Sequence, residues 1–220
     1  MIRQLTFPVT VILFVVIAGC SSTRHHVSVL SRSSELEARR NAAFQLSISV
    51  NLKKKHLPLL IEASHDKDAL IREFAIKAIG RMNPRYSGVS DAIKQGLHDP
   101  DISVRRTAAA IFSSMNPVPT EVLLTLAETL GDNDSLLRSY VKSTFIDLGP
   151  LGVSALVRTC KHPDDSLRCR AASTLGKIGC EAKRALPVLN ELLKDESKRV
   201  REAARQSITL IQYSYFCPGN

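Results

Sequence analysis

Tryptophan is absent, and aromatic residues make up only 5% of this 220-residue chain. Holding a displaced nucleic-acid base takes aromatic side chains that stack on it, with an acidic group beside it for chemistry. The few aromatics present do not offer this, because Phe112 and Phe145 fall at core phases of the pattern described below. The six histidines include no pair at helix spacing i, i+4 with an intervening Glu, so a zinc-peptidase site is lacking. His65 and His98 share one phase of a repeat, but two rings are too few ligands for a metal. A glycine-rich phosphate loop and a Gly-x-Ser-x-Gly elbow are missing as well. No catalytic residue, metal or cofactor is therefore expected. The uncharged stretch Leu5 to Ala18, 14 residues long, is short for a spanning helix, which needs about 20.

What the chain does have is a ladder of arginines. Arg39, Arg72, Arg105, Arg138, Arg168 and Arg201 are separated by 33, 33, 33, 30 and 33 residues. One place before each stands Ala38, Ile71, Val104, Leu137, Leu167 or Val200, and three after it Ala42, Ala75, Ala108, Val141, Ala171 or Ala204. Seven after it come Leu46, Ile79, Phe112, Phe145, Leu175 and Ile208. These offsets share one face of a 3.6-residue helix, so each repeat carries a helix that buries the same stripe. A preceding helix repeats too, with Leu60, Ile93, Leu126, Leu156 and Leu189 at twelve before the Arg. The 30-residue interval loses its three residues at Gly149 to Gly152, a connection where deletion spares both periodic faces.

Aspartates recur six before the Arg (Asp66, Asp99, Asp132, Asp195) and four before it (Asp68, Asp101, Asp134, Asp164). Short acidic side chains there can cap the coming helix. Asp66, Arg72, Asp99, Arg105, Asp132, Arg138, Arg168, Asp195 and Arg201 are accordingly expected to brace one repeat against the next. Pro84, Pro117 and Pro150 follow the second helices and stop them, since proline cannot continue a helix.

The units resemble HEAT repeats, most closely in Asp164 to Gly179 and Asp195 to Ile211. The resemblance implies an all-α, right-handed α-solenoid of about five antiparallel helix pairs over residues 35–212, in which turn Asp and Arg tie neighbours together. It departs at the start, where the segment before Arg39 reads as an N-terminal half-repeat, and at Lys142, which replaces a small apolar residue. A tail, 213–220, follows.

The N-terminus combines Arg3, the uncharged stretch and Ile17-Ala18-Gly19-Cys20. This resembles a bacterial lipoprotein signal, with residues 1–19 removed and Cys20 acylated as the mature N-terminus. It implies a lipid anchor in the cell envelope, with Ser21 favouring the outer membrane. Residues 20–34, rich in Ser, then read as a flexible tether.

The formal net charge is +9, one less once Arg3 is removed. Excess basic charge suits nucleic acid or an anionic surface, but export and the aromatic shortage argue against nucleic acid. Envelope polyanions, lipid headgroups or an acidic partner remain, met by Lys53-Lys54-Lys55 and Lys198-Arg199. The helix face opposite the core stripe supplies a candidate partner surface: Arg106, Ser114, Ser139, Ser143, Asp147, Ser173 and Lys177. Cys160 falls at a core phase, whereas Cys180 and Cys217 each follow a second helix and are a candidate disulfide. Two functions stay open. One is a monomeric, non-catalytic scaffold holding an envelope protein. The other is an enzyme or bilin-lyase-like protein, which short bacterial HEAT repeats also resemble and which export counts against.

Overall fold

Alanine and leucine at the periodic positions favour helix and allow close packing, and every repeat is built from them. The structure is a computed structural model that describes residues 23–115 and 117–213. Among these residues the regular elements are helices, with no strand. Cys20, the signal sequence and Cys217 lie outside the described residues. Helix α1 covers residues 23–32. The remainder are α2 (Leu36–Ile48), α3 (Leu57–Ala63), α4 (Ala69–Gly80), α5 (Val89–Gly96), α6 (Ile102–Ser114), α7 (Leu123–Glu128), α8 (Ser135–Leu148), α9 (Val153–Thr159), α10 (Asp165–Ile178), α11 (Leu186–Leu192) and α12 (Lys198–Gln212). The chain divides after Gly96 into two compact units.

The even-numbered helices are those that follow the acidic turns. Asp68, Asp101, Asp134 and Asp164 are the N-caps of α4, α6, α8 and α10, each accepting a backbone N–H from the first turn. Ile71, Val104, Leu137, Leu167 and Val200 are buried, as are all six residues three after the Arg. The predicted stripe therefore faces the core. Its weak positions are at the two ends, where Ala38 is half-buried and where Ser207 is buried and Ile208 only half-buried.

In the first unit, α2 and α3 pack on α4, as does α5. Residues 23–32, where a tether was expected, form a helix. Thr23 and Leu30, seven apart, are buried on one face, and Thr23 Oγ1 lies 3.2 Å from Ser49 Oγ just beyond α2. Serine-rich composition suggested a tether, but helical stability in proteins comes mostly from packing of one face rather than from propensity.

In the second unit, α8 packs against α6 and α10, α10 against α12, and the shorter α7, α9 and α11 form the other row. Phe112, Leu126, Phe145, Leu156, Leu175 and Leu189 are completely buried. The shortened connection is the 3-10 turn Gly149–Leu151, which leads from a 14-residue α8 into α9 with both helices intact. Gly149 caps α8 at φ +51°, and a Cβ on Gly152 would stand 2.5 Å from the Phe145 ring. Both positions need glycine. At Gly176 a Cβ would come within 2.8 Å of the Ser207 Cα, so α10 and α12 touch backbone to backbone.

Candidate functional site

Five of the six ladder arginines are built into their own turns. Arg72, Arg105, Arg138, Arg168 and Arg201 donate through Nη1 to the backbone carbonyl six residues earlier, at 2.7 to 2.9 Å. The aspartate at that same place accepts the N–H two residues on, as in Asp134 N to Asp132 Oδ1 at 2.8 Å and Ser197 N to Asp195 Oδ1 at 2.9 Å. Its second job is to receive the arginine of the preceding repeat. Arg105 donates to both oxygens of Asp132, at 2.8 and 3.4 Å, and Arg168 to both of Asp195, at 2.8 and 2.9 Å. Arg39 pairs with Asp66 in the first unit.

A parallel rung lies beside the first. Arg40 donates to both oxygens of Asp68, at 3.2 and 2.6 Å, and Arg106 Nε to Asp134 at 3.0 Å with a second contact through Nη2. The Arg106 guanidinium, with the Leu137 N–H, holds the Asp134 carboxyl at about 2, well below the usual range. Hydrogen bonding to Arg168 lowers Asp195 likewise.

The rung between α8 and α10 is missing. Its acceptor position, six before Arg168, is His162, which takes the Asp164 N–H on Nδ1 at 3.1 Å. Arg138 has no carboxylate partner among the described residues and keeps only the Asp132 carbonyl, at 2.7 Å. Here the helices enclose an open cavity of about 320 Å³ lined by Leu130, Ser135, Arg138, Ser139, Lys142, Arg170, Ser173 and Thr174. Arg170 reaches across it to the Leu130 carbonyl at 2.8 Å. Lys142 is held below the usual lysine range by the adjacent Lys177 ammonium and by partial burial.

The predicted partner surface lies within the second unit. Ser114, Ser139, Ser143, Asp147 and Lys177 are exposed, and Ser173 is half-buried at the cavity. Arg106 is engaged with Asp134 and is a bracing residue. Sequence reasoning placed Ser139 and Ser173 together but missed Arg138, Lys142 and Arg170 as one cluster. The signals were present: a histidine in the aspartate register, and a lysine where Ala43, Ile76, Ala109 and Ala172 stand in other repeats.

Of the other predicted positions, Cys160 is buried, and desolvation pushes its thiol up to about 12. Cys160 and Cys169 are free thiols, while Cys180 is disulfide-bonded. His65 takes Gln95 and the Ile61 carbonyl as partners, at 3.0 and 2.8 Å. Among the described residues, no three His, Cys, Asp or Glu side chains could hold a metal, and no helix is long and apolar enough to cross a membrane. Lys53, Lys54, Lys55, Lys198 and Arg199 are all exposed.

A family model for HEAT repeats matches residues 24–111 and 145–209. The chain belongs to the HEAT-repeat family. The stretch between the two matches, 112–144, holds α7 and most of α8, and it nonetheless keeps the HEAT helix pair in its structure. No curated protein matches the chain. Two engineered proteins solved by the Northeast Structural Genomics Consortium are similar at 18% identity. One has a TM-score of 0.53 over 93% of this chain and 61% of its own. The other has a TM-score of 0.51 over 86% of this chain and 98% of its own. At that identity the likeness shows a shared fold alone.

Proposed function

We propose that this HEAT-repeat chain is a non-catalytic scaffold that holds a protein partner at the bacterial cell envelope, anchored by a lipid on Cys20. The helical-repeat fold fits a protein-interaction scaffold, because stacked second helices bury one stripe and present the opposite one as a continuous surface. The observation that carries the reading is that surface in the second unit, where Ser114, Ser139, Ser143, Asp147 and Lys177 are all exposed on successive second helices. The anchor rests on the sequence Ile17-Ala18-Gly19-Cys20 after an uncharged stretch too short to span. Acylation by two or three chains gives stable attachment where one does not.

The same reading gives Cys217 as the partner of Cys180. Cys160 and Cys169 are free, and an acylated Cys20 has no thiol to offer. Peptide mapping without reduction tests this by the mass of a Cys180–Cys217 crosslinked peptide.

Two measurements test the function. Mass spectrometry of the N-terminal peptide should find a diacylglyceryl group on Cys20; an unmodified, cytoplasmic product contradicts the anchor. A photocrosslinker at Ser143 should capture an envelope protein that one at Ser154, on α9, does not. Equal capture from both positions contradicts use of the second-helix face.

A further inference from the structure

Two departures from the repeat coincide between α8 and α10. Lys142 occupies the position four after the ladder arginine, where Ala43, Ile76, Ala109 and Ala172 are buried and the last repeat carries an exposed Arg205. A lysine ammonium cannot be buried there without a partner, and the cavity of about 320 Å³ opens beside it. His162 replaces the aspartate that would have met Arg138. The cavity is thus lined by Arg138, Lys142 and Arg170, with Lys177 against Lys142, and by no Asp or Glu.

The aspartates of the neighbouring rungs are already committed. Asp132 serves Arg105, Asp134 serves Arg106 and Asp195 serves Arg168. Like charges in one partly desolvated space repel one another, and an anion placed between them removes that cost.

We infer that this cavity binds a phosphate-type dianion, held by Arg138, Lys142 and Arg170 with Ser139 and Ser173 as hydroxyl donors. Charge decides for phosphate over a single carboxylate. A phosphomonoester carries about −1.5 to −2 and three strong acceptor oxygens, against three lining cations and a fourth beside them. The two guanidinium groups supply planar forks that suit such oxygens. The cavity is open to solvent and larger than one phosphate, holding roughly ten waters' volume, so the group can be free phosphate or the phosphomonoester of a lipid headgroup. The site shares Ser139 and Ser173 with the proposed partner face but does not rest on that reading.

The test is calorimetric titration of the full chain in detergent, with inorganic phosphate in one arm and dihexanoyl phosphatidic acid in the other. Dihexanoyl phosphatidylcholine controls for partition into micelles. Saturable binding in either arm is expected, and the tighter ligand identifies the source. Lys142→Ala and Arg170→Gln should each weaken it roughly tenfold, the loss of one charge-assisted contact, while Lys77→Gln, at an exposed position of the first unit, leaves it unchanged. Lys142→Ala installs the residue that three other repeats carry, so its helicity and thermal midpoint should match the parent chain. The inference is overturned by no saturable binding in either arm, by undiminished binding in the Lys142→Ala/Arg170→Gln double variant, or by saturable binding of a polyglutamate peptide alone.

Discussion

The junctions on the two sides of α10 are made from the same repeat and are not alike. Toward α12, Gly176 lets the backbones touch, Ser207 donates to the Ala172 carbonyl at 2.8 Å, and Arg168 grips Asp195 with two hydrogen bonds. Toward α8, no carboxylate among the described residues answers Arg138, a lysine stands where three other repeats have alanine, and a cavity opens beside the packed helices. The α6–α8 junction resembles the first kind, with Arg105 and Arg106 paired to Asp132 and Asp134 and Ser113 Oγ 2.5 Å from Thr144 Oγ1. A HEAT repeat therefore tolerates losing its ion-pair rung provided that its apolar stripe persists, and Phe145 and Leu175 are fully buried on either side of the gap. What is lost in bracing is available for binding.

The comparison breaks most readily at its tight side. Gly176→Val should cost about 1–3 kcal/mol, since overpacking a close contact forces the helices apart, and urea denaturation would read it. The same change at Ser173, beside the cavity, should cost much less. If Ser173→Val proves as damaging, the α8–α10 junction is as tight as its neighbour.

Acid should act next, on the paired rungs. Asp134 is depressed to about 2 by Arg106, whereas an unfolded aspartate titrates near ~3.9. A group depressed in the folded state adds stability that is complete above the unfolded value and disappears as pH falls through the folded one. The second unit should lose stability between about pH 4 and pH 2, and Arg106→Ala should flatten that loss. Thermal scans across this range check it; an identical acid profile in the variant speaks against the rung.

Smallest is Lys142→Ala. Removing a cation crowded by Lys177 and restoring the alanine of other repeats should leave the thermal midpoint level or slightly raised, within about 0.5 kcal/mol. A loss of 2 kcal/mol or more, roughly the scale of a core truncation, would mean that Lys142 supports the stack.

Much of this architecture was legible because an exposed helix face and a buried one differ in apolar content at fixed offsets. Leu126, Phe112, Val141 and Leu175 were placed in the core from their phase and are buried. The capping role of Asp68, Asp101, Asp134 and Asp164 followed from side-chain chemistry in the same way. The helix at 23–32 was not legible, because Thr23 and Leu30 are its only buried residues and its serines match a tether in composition. The cavity was missed for a different reason. Its cations come from offsets 0, +2 and +4 on two helices, and only the absence of an aspartate where His162 stands, a long-range feature, leaves them grouped without an acid.

The interrupted ladder is tested most directly by equilibrium denaturation of Arg168→Ala beside Arg138→Ala. Both variants lose a hydrogen bond to the carbonyl six residues earlier, but only Arg168→Ala also loses a two-point carboxylate pair and a bond to the Pro163 carbonyl. Arg168→Ala should lower unfolding free energy by about 1.5–3 kcal/mol and Arg138→Ala by less than about 1 kcal/mol. Equal losses in the two variants would contradict the break at Arg138.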